Sequence, residues 1–283
     1  MRDFLELTKP RITLMILICA GVGYYFGLPN SPQIAILFHV LLGTALMASG
    51  TAALNQWYEA DSDAKMRRTN KRPIPAGRIK RVDALAFGAG LSIVGFAELW
   101  FGTNPLAAAL GLFTLVTYIG LYTPLKRRSA VCTTVGAVPG AMPPLIGYAA
   151  ASGHLNAAAL ALFLILFVWQ FPHFYAIAWM YREDYARGGI RMLPVIQPDG
   201  ESTARRIVAC SLLLIPISLA PRCLGMTGSV YVAVAVAAGL VFLYFGLRLG
   251  RERSSMRARR VLLASVLYLP VLLAVMVLDR HVT

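Results

Sequence analysis

Charged residues are scarce in this 283-residue sequence, 14% of the total, and acidic ones are scarcest, with 13 Asp and Glu against 27 Lys and Arg. Together with a hydrophobic share of 58%, that shortage excludes a water-soluble fold of this size. Cysteines number four (Cys19, Cys132, Cys210, Cys223), with no C-x-x-C pair among them, so neither a disulfide framework nor a thiolate metal site is expected. The four histidines (His39, His154, His173, His281) are too few and too scattered for a helical cytochrome with paired axial ligands at matched depths. Polar and apolar residues do not alternate over stretches of about ten, which excludes a membrane barrel.

What the sequence has instead is a series of apolar runs, each long enough to cross about 30 Å of hydrocarbon as a helix. Nine are expected, over 12–28, 34–56, 83–103, 105–123, 131–151, 157–179, 206–221, 229–248 and 260–278. The fold class is therefore all-α and polytopic, about nine transmembrane helices around a central cavity, with 1–283 forming one domain.

On this map the positive charges segregate. They cluster at the N-terminus (Arg2, Lys9, Arg11), in 57–82, in 124–130, in 180–205 with Arg206, and in 248–260, leaving Arg222 and Arg280 on the other side. The positive-inside rule then puts the N-terminus in the cytoplasm and the C-terminus in the periplasm. Basicity is thus topogenic, and nucleic acid is not an expected partner. The first apolar run follows Lys9-Pro10-Arg11 without a small-residue cleavage site, and no Arg- and Ser-rich presequence precedes it. The expected address is a bacterial inner membrane, with the lipid bilayer as partner.

The two long loops, 57–82 and 180–205, follow the second and sixth runs, and each opens on polar and acidic residues, hinting at an old duplication. Asn55, Glu59 and Asp63 fall at i, i+4 and i+8, so on a continuing helix they share one face. Three hard oxygen donors of this kind suit Mg²⁺ bridged to a phosphate, while Asp61 points away into solvent. Arg67, Arg68, Lys71 and Arg72 follow directly, and acids beside bases are the complement of a magnesium-bound diphosphate. The plain alternative is a solvated helix end with topogenic positives.

Tyr118 and Tyr122 occupy one helical face just before Lys126, Arg127 and Arg128, an arrangement that suits an interfacial anion and equally an aromatic belt. Further on, Gln170 and His173 lie near the end of the sixth run. Pro172 is expected to kink that helix, and Asp184 is three turns beyond His173, on the same face if the helix recovers. Glu98 lies toward the outer end of the third run and is given no function. His39, His154 and His281 have no partners that spacing identifies.

Taken together, LTKPRI at 7–12, NQWYEADSDAKMRRTNKRPIPAGRI at 55–79, YTPLKRRS at 122–129, GAVPGAMPPLIGY at 136–148, WQFPHFYAIAW at 169–179 and EDYARGGIRMLPV at 183–195 resemble the UbiA-type intramembrane prenyltransferases, specifically their haem-farnesylating branch. The N-x-x-x-D-x-x-x-D signature of that family is present as Asn55, Glu59 and Asp63, with Glu in the middle place. The second acidic signature is eroded to Gln170, His173 and Asp184, which departs from a symmetrical two-cluster magnesium site.

The resemblance implies transfer of a farnesyl group from farnesyl diphosphate to the 2-vinyl group of haem B, with addition of water, at a site open to the cytoplasm. It also implies Mg²⁺ on Asn55, Glu59 and Asp63, and diphosphate held by Arg67, Lys71, Arg72, Lys126 and Arg127. Tyr118 and Tyr122 would face the allylic cation, and Gln170 and His173 the haem, with His173 either orienting water or ligating iron. Docking with a haem A synthase is left open. Rival readings are a polyprenyltransferase of aromatic acids, a small-solute transporter and a non-catalytic haem-binding membrane protein.

Overall fold

The computed structural model describes residues 2–28 and 32–280; His281 lies outside them. The chain is all-α, and among the described residues the only β-type pairing is a single antiparallel bridge between Thr227 and Arg280. Among the described residues eight helices are long and apolar enough to span a bilayer. They are α1 (Pro10–Gly27), α2 (Ile34–Asp63), α3 (Arg81–Gly102), α4 (Pro105–Leu125), α7 (Ala157–Met180), α8 (Glu201–Cys223), α9 (Ser229–Arg251) and α10 (Ser255–Leu278). Between the fourth and fifth of these lie two short helices, α5 (Cys132–Gly140) and α6 (Pro143–Ser152).

The segment 131–151, expected as one helix, is thus two. Gly140 closes the first, and Pro143 opens the second at a position where its missing N–H costs nothing. The segment expected over 206–221 is longer, because Glu201 to Cys223 stays helical through Pro216 and Pro221. Large apolar side chains such as Ile93, Phe101 and Leu278 point outward, as they do where the surrounding solvent is lipid.

The chain divides into two compact units, Met1–Leu155 with Glu183–Arg191, and Asn156–Arg182 with Met192–Thr283. In the first, α1 packs on α6 at backbone contact. A Cβ at Gly147 would fall 1.8 Å from the Ala20 carbonyl oxygen, and one at Gly23 2.0 Å from that of Pro144. Small residues bring membrane helices this close where apolar burial gives no driving force. Asn104 caps α4 by accepting from the Ala107 N–H at 3.0 Å and donates to the Ala149 carbonyl of α6 at 2.8 Å.

In the second unit, α7, α8, α9 and α10 form a four-helix bundle. Asn156 caps α7, accepting from the N–H groups of Ala158 and Ala159. Pro172 does not end α7, which continues to Met180. Buried hydroxyls cross-link the bundle: Tyr231 Oη donates to the Ser218 carbonyl at 2.7 Å, and Ser218 Oγ and Tyr268 Oη are 2.7 Å apart.

Candidate active site

Helix α2 outruns its apolar stretch and stays helical to Asp63, which puts Asn55, Glu59 and Asp63 on successive turns at one end. All three are buried, exposed by only 2%, 7% and 1%. Buried carboxylates require partners. Glu59 Oε1 accepts from Lys126 Nζ at 2.8 Å, and Asp63 Oδ2 accepts from Arg72 Nη1 at 2.6 Å. Asn55 Nδ2 donates to Thr123 Oγ1 at 3.3 Å, while its Oδ1 lies 3.5 Å from Lys9 Nζ. Asp61, as expected, faces solvent, where it pairs with Arg81.

Two carboxylates therefore meet three cations, Lys9, Arg72 and Lys126. With Lys9 protonated the largely desolvated cluster carries an excess of one positive charge, which is complementary to an added anion. Burial opposes the charge on Lys126, but the Glu59 carboxylate, with Tyr122 and Tyr118 beside it, reverses this and holds its pKa well above the ordinary lysine value. Lys9 is the contrast: burial first, then the charge of Arg72, pushes its pKa down to about 7.

In the sequence Lys9 carries no role beyond topology. Its backbone is left-handed (φ 49°, ψ 60°), an uncommon state for a residue with a Cβ. Such strain persists where surrounding structure holds it, often at functional sites. The signal available is the Lys-Pro step at the start of α1, but no spacing rule links position 9 to position 55.

Tyr118 and Tyr122 come together with rings 4.9 Å apart at 69°, and Lys126 Nζ stands 4.3 Å from the centre of the Tyr122 ring. The stretch Thr117–Tyr122 is a π-helical turn, with the Thr123 N–H bonded to the Tyr118 carbonyl. Such turns are rare and gather at functional sites.

The expectation that His173 and Asp184 share one helical face is overturned. Helix α7 ends at Met180, Tyr181 leaves helical geometry, and Asp184 begins afresh in the short helix Arg182–Arg187. There Asp184 accepts the backbone N–H groups of Arg67 at 3.1 Å and Arg68 at 3.2 Å, and pairs with Arg187. Burial favours its neutral form, but Arg187 and the two N–H groups hold its carboxyl below the ordinary aspartate value. Asp184 thus clips the loop after α2 to the segment Glu183–Arg191, and that segment reaches the cluster again where the Arg191 N–H donates to the Lys126 carbonyl at 2.7 Å.

The structure leaves Arg67, Lys71 and Arg127 exposed, outside the hydrogen bonds of the buried cluster. Gln170 and His173 belong to the second unit, where Gln170 Nε2 donates to the Leu166 carbonyl and His173 Nδ1 lies 2.8 Å from Ser265 Oγ. His39 and Glu98, which spacing does not connect, are paired at 2.7 Å.

For Mg²⁺ the donor chemistry fits. Asn55, Glu59 and Asp63 offer hard oxygens on one stripe, and the hydrogen bonds to Lys126 and Arg72 engage one oxygen of each carboxylate. Among the described residues no three His, Cys, Asp or Glu side chains form a closed cage. Mg²⁺ takes hard oxygen donors of this kind and keeps several of its waters.

The chain belongs to the UbiA prenyltransferase family, which it matches over residues 16–269, and it is an enzyme, a prenyltransferase. It is 57% identical to a protoheme IX farnesyltransferase of Solibacter usitatus (strain Ellin6076), over 99% of each chain. Its fold is similar to that of a digeranylgeranylglyceryl phosphate synthase, with a TM-score of 0.81 at 18% identity, covering 98% of this chain and 97% of that one. It is also similar to that of a UbiA homologue from Archaeoglobus fulgidus bound to GPP and Mg²⁺, with a TM-score of 0.72 at 17% identity, covering 97% and 99%.

Proposed function

We propose that this enzyme transfers the farnesyl group of farnesyl diphosphate to the 2-vinyl group of haem B, with addition of water, releasing diphosphate and haem O. The observation that carries the reading is the buried cluster of two carboxylates and three cations brought together by α2, the loop after it, the end of α4 and the Lys9 turn. The full-length likeness to a protoheme IX farnesyltransferase supplies the acceptor.

In the reaction the bond between farnesyl C1 and oxygen breaks, and its electron pair leaves with diphosphate. Lys126, Arg72 and Lys9 neutralise the charge that develops there, which lowers the barrier electrostatically. Asn55, Glu59 and Asp63 would hold Mg²⁺, which when bound supplies a Lewis acid to the same oxygens. Exposed Arg67, Lys71 and Arg127 attract the substrate from water. The ring faces of Tyr118 and Tyr122 stabilise the allylic cation, and apolar helices keep water from it. The outer vinyl carbon of haem then bonds to C1. The cation left on the carbon next to the porphyrin takes up water, which gives up one proton. Gln170 and His173 are assigned to the haem side.

The asymmetry of Lys and Arg supports an inner-membrane protein whose chemistry is at the cytoplasmic face. The test is to supply purified enzyme with farnesyl diphosphate, Mg²⁺ and an equal mixture of haem B and 4-hydroxybenzoate. A hydroxyethylfarnesyl haem, identified by mass, is the expected product. A prenylated benzoate with no haem adduct overturns the reading in favour of the aromatic-acid branch.

A further inference from the structure

In the second unit His173 is held from α10. Its Nδ1 lies 2.8 Å from Ser265 Oγ, and the same Oγ lies 2.6 Å from the carbonyl oxygen of Leu262. A carbonyl oxygen carries no proton, and two oxygens at that separation repel unless one lies between them. The single hydroxyl proton of Ser265 is therefore on the Leu262 side. Ser265 consequently presents a lone pair to His173, and Nδ1 must carry the hydrogen. A neutral imidazole has one N–H, so the lone pair of His173 is on Nε2.

The rest of the setting fixes the ring. Trp169, one turn earlier, stacks on His173 with centroids 4.9 Å apart at 26°, and its Nε1–H donates to the Ser265 carbonyl at 2.9 Å. Ser265 itself is wholly buried and so holds two side chains of α7 at once. Among the described residues Nε2 has no hydrogen-bond partner, and the residue is half-buried. Its lone pair is oriented by the Nδ1 contact and is not engaged by another described residue.

We infer that His173 Nε2 is the axial ligand of the iron of the haem substrate, and that Ser265 is the residue positioning it; this rests on the reading of haem B as acceptor. Histidines that ligate metals characteristically donate their other ring N–H to a fixed acceptor, which sets tautomer and orientation. Coordination needs only the lone pair, and no proton leaves or arrives. A general base at this place would end as an imidazolium inside an apolar bundle. The groups against the ring are a serine hydroxyl, a stacked indole and the edge of Phe174, none of which carries the negative charge that such a cation needs.

The experiment titrates ferric and ferrous haem B into wild-type, His173→Ala and Ser265→Ala enzyme in nanodiscs. It reads the visible spectrum and the iron–histidine stretch by resonance Raman, and assays adduct formation by mass on the same samples. Wild type should show imidazole ligation. His173→Ala should lose it and regain it with added imidazole, which also shows that the variant is folded. Ser265→Ala should keep the ligand with a lowered stretching frequency and a KM for haem raised several-fold. A His173→Ala spectrum equal to wild type overturns the ligation while leaving haem as the acceptor, and an unshifted frequency in Ser265→Ala overturns the positioning role. Absence of any haem adduct from wild type overturns the underlying reading instead.

Discussion

Lys126 Nζ donates to Glu59 Oε1 at 2.8 Å, so one buried ammonium ties the end of α4 to the polar end of α2. Removing either partner leaves the other charged and desolvated, at a cost of about 3–5 kcal/mol. Lys126→Met should therefore lower stability by roughly that amount, and Glu59→Gln in the same chain should return part of it. Unfolding in detergent across the four proteins of this cycle measures the coupling. Strictly additive losses would show that the two residues stabilise the fold independently.

Lys9 predicts a pH dependence. Unfolded, it keeps its proton to about its ordinary value of 10.5; folded, it sheds it near 7. Between those values the unfolded chain binds more protons, so stability rises with pH across that window through this group. Anion binding runs the other way, because diphosphate favours the charged lysine. Affinity for pyrophosphate should fall as pH rises through 7, and more steeply in wild type than in Lys9→Arg, which keeps its charge. The ratio of the two proteins' affinities, by calorimetry at pH 6 and 8.5, removes the titration of pyrophosphate itself. A ratio that does not move with pH contradicts the role given to Lys9.

Asp184 holds backbone rather than pointing at a companion on its own helix. Asp184→Ala should free the loop after α2, speeding its cleavage by protease and raising KM for the prenyl diphosphate, with the Mg²⁺ dependence of turnover unchanged. A tenfold shift in the Mg²⁺ optimum would instead make Asp184 a metal ligand.

Two glycine substitutions should separate packing from propensity. Gly147→Ala puts a methyl 1.8 Å from the Ala20 carbonyl oxygen, and forcing α1 and α6 apart should cost about 1–3 kcal/mol or more. Gly90→Ala, in α3, meets open space and should be neutral or stabilising by about 0.5–1 kcal/mol. Thermal melting in detergent tests both, and equal effects would refute the close-contact account.

Periodicity and charge make much of the architecture legible in the sequence itself. The stripe of Asn55, Glu59 and Asp63 is visible there because a helix fixes i, i+4 neighbours, and the paired tyrosines for the same reason. What stays hidden lies where the chain departs from helical counting. Pro143 and Gly140 split a run that hydropathy alone joins, and the break at Tyr181 removes Asp184 from the face of His173. Lys9, Thr123 and Ser265 escape sequence reasoning because each meets its partner across a long stretch of chain, where spacing carries no information.

The π-helical turn at Thr117–Tyr122 has a consequence for what this gene can tolerate. A π-turn takes up one residue more than an α-turn over about the same rotation, so it absorbs a surplus residue without changing the phase of the chain beyond it. Loss of a single codon here, for instance that of Gly120, whose position is open to added bulk, would let the turn close to α geometry with Lys126 still in phase with Glu59, while Tyr118 and Tyr122 would move from four residues apart to three. The lysine–carboxylate pair should therefore survive the loss of one residue from this stretch but not the loss of two.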